Sequence, residues 1–187
     1  MSNCPLTGLP CPPCSGTGRP REYVTDAARA AWHALSDAAT TVDAYAATMT
    51  PLARRVVYGR LMQAVWVLRR AGRPSTRPRR ATEAPLTMPP NRCRLTGRVL
   101  IQARDSGRRR VYYDDDARRA ASPVYRLASA IAPLAGTMTP EARGALIGQL
   151  MQMAWVLRRR PFQSPPVPVC AAPADVACAS RCCPPRI

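Results

Sequence analysis

Between residues 26 and 46 apolar side chains return every three or four positions, as Ala28, Ala31, Trp32, Leu35, Ala39, Val42 and Ala46. That spacing lays them along one face of a helix, and Thr25 just ahead of them is an acceptable N-cap. The pattern comes back 89 residues later as Ala117, Ala121, Val124, Ala128, Ile131 and Ala135, behind Asp114. There Pro123 and Pro133 replace Ala34 and Ala44. A proline lacks the amide donor and crowds the preceding turn, so this second helix is expected to kink or restart at Ser122.

A different pattern follows each of these helices. Residues 48–70 read TMTPLARRVVYGRLMQAVWVLRR and residues 137–159 read TMTPEARGALIGQLMQMAWVLRR. Thr50 and Thr139 are N-caps, with Pro51 and Pro140 in the first helical position. From Val56 to Leu68 the stretch is apolar on nearly every side, broken mainly by Arg60 and Gln63; from Ala145 to Leu157 it is broken by Gln149 and Gln152. A helix apolar all round is expected to be buried all round. Each copy would then cover the other, with Gly59 and Gly148 permitting close approach. Both end in Arg-Arg, which suits a helix C-terminus.

Set against each other without a gap, residues 4–70 and 93–159 share 29 identities in 67 positions. The offset implies a tandem duplication: unit one over 1–71, an Arg/Pro-rich linker over 72–92, unit two over 93–161, and a Pro/Ala/Cys-rich tail over 162–187. Each unit opens with a turn-forming CPLTG (4–8) or CRLTG (93–97). An Arg-rich stretch follows, in which Arg19, Arg21 and Tyr23, or Arg108, Arg110 and Tyr112, alternate as strand residues do, predicting a small β-hairpin. Two units are too few for a solenoid. The expected fold is mainly α with small β-hairpins, two hairpin-helix-helix repeats packed with pseudo-twofold symmetry into a helical bundle. The linker is expected to be flexible and the tail disordered.

Composition supports the helical reading: the chain is 47% hydrophobic but only 5% aromatic, leaning on Ala, Leu, Val and Met. Its 28 basic residues are all arginine, and against 11 acids they leave a net charge of +17. Such a field favours polyanions. No window reaches the length of a membrane span, and the opening MSNCPLTGLPCPPC lacks a signal-peptide pattern, so a cytoplasmic location is expected. In a reducing compartment the eight cysteines read as thiols or metal ligands.

The candidate metal set is Cys4, Cys11 and Cys14 with His33, of which Cys11 and Cys14 have knuckle spacing. The second unit has Leu100 and Ala103 in those two places, so ordinary thiols are the expectation. The tail adds Cys170, Cys178, Cys182 and Cys183, positioned for metal or cross-linking only in a low-complexity context. One histidine, no nucleophile elbow and no Gly-rich phosphate loop argue against an enzyme, and nothing calls for a cofactor. Asp114, Asp115 and Asp116 are expected to stabilise a helix N-terminus.

The run CPLTG followed by GRPREYVTDAAR (18–29) resembles the small bacterial zinc-finger modules written C-x-x-C-G, then G-R-P-R-R-Y-C-S, then x-A-C-R. Those modules are treble-clef-like and associated with nucleic acid. Of the four ligand positions the resemblance implies, only Cys4 remains, the others being Thr7, Val24 and Ala28; the second unit has Cys93 with Thr96, Tyr113 and Ala117. Structural zinc takes four ligands, so both copies are expected to be degenerate, with packing by Val24 and Tyr113 in place of the metal.

Arginine remains as the functional signal. Arg19, Arg21, Arg77, Arg79, Arg80, Arg108, Arg109 and Arg110 are the candidate nucleic-acid contacts, because guanidinium forks match phosphate oxygens. The expected function is a non-enzymatic DNA-binding protein, a regulator or mobile-element accessory factor. The alternative is a protein-interaction module, an adaptor or inhibitor engaging an acidic partner.

Overall fold

The computed structural model describes residues 3–12, 22–71, 87–100 and 111–161. Four helices make up most of these: α1 (Asp26–Tyr45), α2 (Pro51–Ala71), α3 (Asp115–Ile131) and α4 (Pro140–Arg159). They pack against one another, and among the described residues there is no sheet.

Each helix begins where a side chain can satisfy a free amide. Thr25 Oγ1 accepts from Ala28 N at 3.1 Å, Thr50 Oγ1 from Ala53 N at 3.3 Å, Asp114 Oδ1 from Ala117 N at 2.6 Å and Thr139 Oγ1 from Ala142 N at 3.2 Å. Pro51 and Pro140 occupy the first helical turn, where no donor is needed. Of the kink or restart expected at Ser122, the restart does not occur: α3 runs on through Pro123. The proline forfeits one backbone bond, and the buried Ala121, Val124 and Leu127 around it hold the segment helical. The other proline takes effect instead: α3 stops at Ile131, whereas α1 runs to Tyr45, the counterpart of Leu134.

The buried face of α1 is Ala28, Ala31, Leu35, Ala38, Thr41 and Val42, so Ala38 stands in the core where the spacing suggested Ala39. On α3 Leu127 likewise replaces Ala128. The alanines of α1 and α3 allow these two helices the most extensive pairing in the bundle. α2 contributes Val57, Leu61, Val65 and Leu68, and α4 contributes Leu146, Leu150, Met153 and Leu157. Neither is buried all round. Trp66 is 60% exposed, Trp155 51% and Met151 41%. Nor do the two glycines serve close approach, since a Cβ on Gly59 or Gly148 would meet nothing within 4 Å. The reason is geometric: α2 packs on α3 and α4, and α4 on α2 with only a slight contact to α1, which leaves an outer flank on each.

The two Cys-to-Gly turns lock the bundle. In the first, Cys4 N donates to Leu9 O at 2.8 Å and Gly8 N to Cys4 O at 2.9 Å; in the second, Cys93 N donates to Arg98 O at 2.8 Å and Gly97 N to Cys93 O at 2.9 Å. Each carries a single antiparallel bridge, Asn3 to Pro10 and Arg92 to Val99. Most of each hairpin expected at 19–23 and 108–112 lies outside the described residues; of their ends, Tyr23 and Tyr112 lie in bends rather than strands. The turns instead cap distant helices. Thr139 N at the start of α4 donates to Thr7 O at 2.9 Å, and Thr50 N at the start of α2 donates to Thr96 O at 2.8 Å. Leu6 and Leu95 are fully buried beneath them. Gly8 and Gly97 have φ of 73° and 74°, and a Cβ on either would collide with Thr139 Oγ1 or Thr50 Oγ1. Both the backbone conformation and the contact therefore require glycine.

Candidate nucleic-acid interface

Arg19, Arg21, Arg77, Arg79, Arg80, Arg108, Arg109 and Arg110 all lie outside the described residues, as do Cys14, most of the linker (72–86) and the tail (162–187) with its four cysteines. The described residues nonetheless hold 16 of the 28 arginines, and their distribution is uneven. α1 and α3 together carry four arginines and five aspartates, close to neutrality. α2 and α4 carry eight arginines and one acid, Glu141.

The first pair also settles its charge locally. Arg29 pairs with Asp26 at 3.4 Å, Arg118 with Asp115 at 3.3 Å and Arg119 with Asp116 at 3.5 Å, each one turn apart. Asp114 caps α3, so the acidic cluster serves the helix start as expected. On α2 and α4, Arg54 and Arg143 turn back to the carbonyls of Met49 (3.2 Å) and Met138 (3.0 Å). Arg54 also donates to the Arg160 carbonyl, and Arg160 grips Asp43, tying the end of α4 to α1 and α2. That leaves Arg55, Arg69, Arg70, Arg158 and Arg159 exposed on α2 and α4.

Aromatic rings lie among them. The Arg159 guanidinium is 4.5 Å from the centroid of Trp155, and that of Arg158 is 5.7 Å from Tyr58. The second contact joins the end of α4 to the start of α2, so the two helices run antiparallel. Between them is a shallow groove of about 380 Å³ lined by Tyr58, Met151, Gln152, Trp155 and Arg158. On α2, Trp66 precedes Arg70 by four residues, the same spacing as Trp155 and Arg159. The sequence of α2, apolar nearly all round, carried no local signal for this surface, which packing decides. Leu61, Ala64, Val65 and Leu68 mark the buried face of α2, and Trp66 falls away from it.

Of the candidate metal set, Cys14 lies outside the described residues. Cys4, Cys11 and Cys93 are free and buried, His33 is exposed with its ring tilted 6.3 Å from Tyr23, and no three potential ligands cluster among the described residues. Burial pushes the Cys4 thiol up, but the Thr7 side chain and the backbone at Val24, Thr7 and Leu6 hydrogen-bond to it and together hold it below the ordinary thiol range. Burial, and then the neighbouring Cys4, push Cys11 up. Thr7 thus bonds to Cys4 at a position where the finger-like pattern would place a second cysteine. Val24 is half-buried against the core as expected. Tyr113 is not: it is 50% exposed, with the Arg98 guanidinium 5.5 Å from its ring.

No helix among the described residues is long and apolar enough to cross a membrane. In comparisons with protein-family models, curated proteins and solved structures, nothing matches this chain.

Proposed function

We propose that this chain is a non-enzymatic nucleic-acid-binding protein, a regulator or mobile-element accessory factor acting on DNA in the cytoplasm. Its central contact surface is the outer flank of α2 and α4. The observation that carries this reading is the segregation of charge onto those two helices together with exposed Trp66 and Trp155 beside Arg69, Arg70, Arg158 and Arg159. Guanidinium groups would neutralise phosphates while indole faces stack on bases, the combination suited to single-stranded or locally opened DNA. Arg19, Arg21, Arg77, Arg79, Arg80, Arg108, Arg109 and Arg110 would extend the same basic surface along the backbone.

The reading includes a pseudo-twofold relation between the halves, two degenerate finger-like copies each supplying a turn that caps the other's second helix. The paired bonds Thr139 to Thr7 and Thr50 to Thr96 support it. The relation would be approximate, because α2 packs on α3 more extensively than α1 on α4.

The test is fluorescence anisotropy with a labelled oligothymidine in low salt. Trp66→Ala and Trp155→Ala are expected each to weaken binding about tenfold, in the range of one lost base stack. Unchanged affinity in the double variant contradicts the reading. The competing reading, an acidic protein partner, draws on the same exposed surface; a stoichiometric protein that stays bound after nuclease treatment, with no affinity for the oligomer, would favour it.

A further inference from the structure

Tyr125 closes part of the seam between α2 and α3. Tyr125 of α3 is half-buried there, its hydroxyl donates to the Arg94 carbonyl at 2.9 Å, and the Arg60 guanidinium of α2 stands 5.3 Å from its ring centroid. The seam between α1 and α4 has different residues at the positions related by the 89-residue offset. Ser36 stands for Tyr125, and Gln149 stands for Arg60. Both of those residues line an open groove of about 500 Å³ between α1 and α4. The cavity therefore lies where the other seam holds a phenol ring.

Three features define what would fill it. Its walls are apolar, formed by Trp32, Leu35 and Met153, and Trp32 stands one turn before Ser36, where α3 has only Ala121. An indole is thus already placed to pack on a ring at one end of the groove. Its polar groups are neutral: the hydroxyl of Ser36 and the amides of Gln149 and Gln152. No charged side chain is among the described residues lining it, although the chain carries +17. A phosphate or carboxylate would find no cationic partner among them, whereas a single hydroxyl is matched by neutral donors and acceptors. The volume is that of a small-molecule site rather than a packing defect.

We propose that the α1/α4 groove binds a neutral, single-ring phenol, its ring against Trp32, Leu35 and Met153 and its hydroxyl bonded to Ser36 or one of the two glutamine amides. The site adjoins the α2/α4 flank, sharing Gln152 with the groove there, but it opens between α1 and α4 and does not depend on the nucleic-acid reading. The chain has three tryptophans, so a ¹⁵N-labelled sample of the full chain gives three indole N–H signals, assignable by single Trp→Phe substitutions.

The probe is p-cresol, the side chain of tyrosine as a free molecule. Its addition is expected to move the Trp32 signal along a saturating curve and to leave Trp66 and Trp155 in place. Toluene, the same ring without the hydroxyl, is expected to bind about threefold or more weakly, the worth of one hydrogen bond. Ser36→Tyr, which would place the phenol covalently, is expected to weaken p-cresol binding at least about tenfold. Ala39→Leu narrows the same groove from a more tolerant position on α1 and keeps the test decisive if Ser36→Tyr does not fold. A Trp32 shift that grows linearly without saturating, saturation at Trp155 instead, equal affinity for toluene, or undiminished binding in a folded filled variant would each overturn the assignment.

Discussion

α1 and α3 share the core with α2 and α4 but present a different exterior. The first two bring alanines together, pair their arginines with aspartates one turn away, and leave little net charge. The second two bury leucines on one side and on the other carry exposed arginines and tryptophans with a single acid between them. Stability does not require that second arrangement. An exposed tryptophan gives up most of the transfer free energy its burial would supply, and clustered like charges repel. The difference separates a pair of helices that mainly builds the bundle from a pair that also offers a surface.

The strongest way to break that comparison is to neutralise one face at a time. Replacing Arg69, Arg70, Arg158 and Arg159 together by Gln is expected to reduce DNA affinity about a hundredfold or more in low salt. The same change at Arg118, Arg119 and Arg126 is expected to reduce it by less than about threefold, because two of those charges are paired within their own helix. Equal losses from both sets, read by anisotropy, would remove the distinction.

The turns that join the two helix pairs come next. Gly8→Ala or Gly97→Ala forces a side chain into a left-handed conformation and against a capping threonine, and is expected to cost about 2 kcal/mol or more. Gly59→Ala, in the open flank of α2 where a Cβ meets nothing, is expected to stabilise by about 0.5–1 kcal/mol. Denaturant melts of the three variants compare the two environments directly; a Gly8→Ala protein as stable as the parent would contradict the cross-capping account.

A smaller effect distinguishes the closed seam from the open one. Burial is the main cause that pushes the Tyr125 pKa up to about 12, with Tyr112 adding to it and Arg60 and Arg94 opposing. The folded state therefore favours the neutral phenol. That contribution is fully present below the ordinary tyrosine range near 10 and is lost as pH rises toward about 12. Tyr125→Phe is expected to cost about 1 kcal/mol at neutral pH through the lost bond to Arg94. It should also remove the last-titrating component of the tyrosinate absorbance. Retention of that component in the variant would assign it elsewhere.

The helix starts were legible in the chain because their determinants are local: a threonine or aspartate hydroxyl or carboxylate, a following proline, and an apolar period. The exposure of Trp66 and Trp155 was not. A run such as VVYGRLMQAVWVL is apolar all round, and which of its sides stays open depends on how α2 and α4 are covered by their neighbours. For the same reason a restart at Pro123 was among the outcomes expected, since the packing of Ala121, Val124 and Leu127 that holds α3 together is a tertiary property. The cross-capping turns were visible only as CPLTG and CRLTG; their partners are more than 40 residues distant. Of the candidate site, the arginine bias was legible, but its concentration on α2 and α4 becomes a surface only once the helices are paired antiparallel.

If the α2/α4 flank holds phosphates as proposed, DNA affinity must depend on salt through its arginines. For the parent chain, log K for the oligothymidine against log salt concentration should fall with a steep slope, and the Arg69/Arg70/Arg158/Arg159→Gln variant should lose about three units of it. An unchanged slope in that variant would show that these arginines meet no phosphate and would contradict the account.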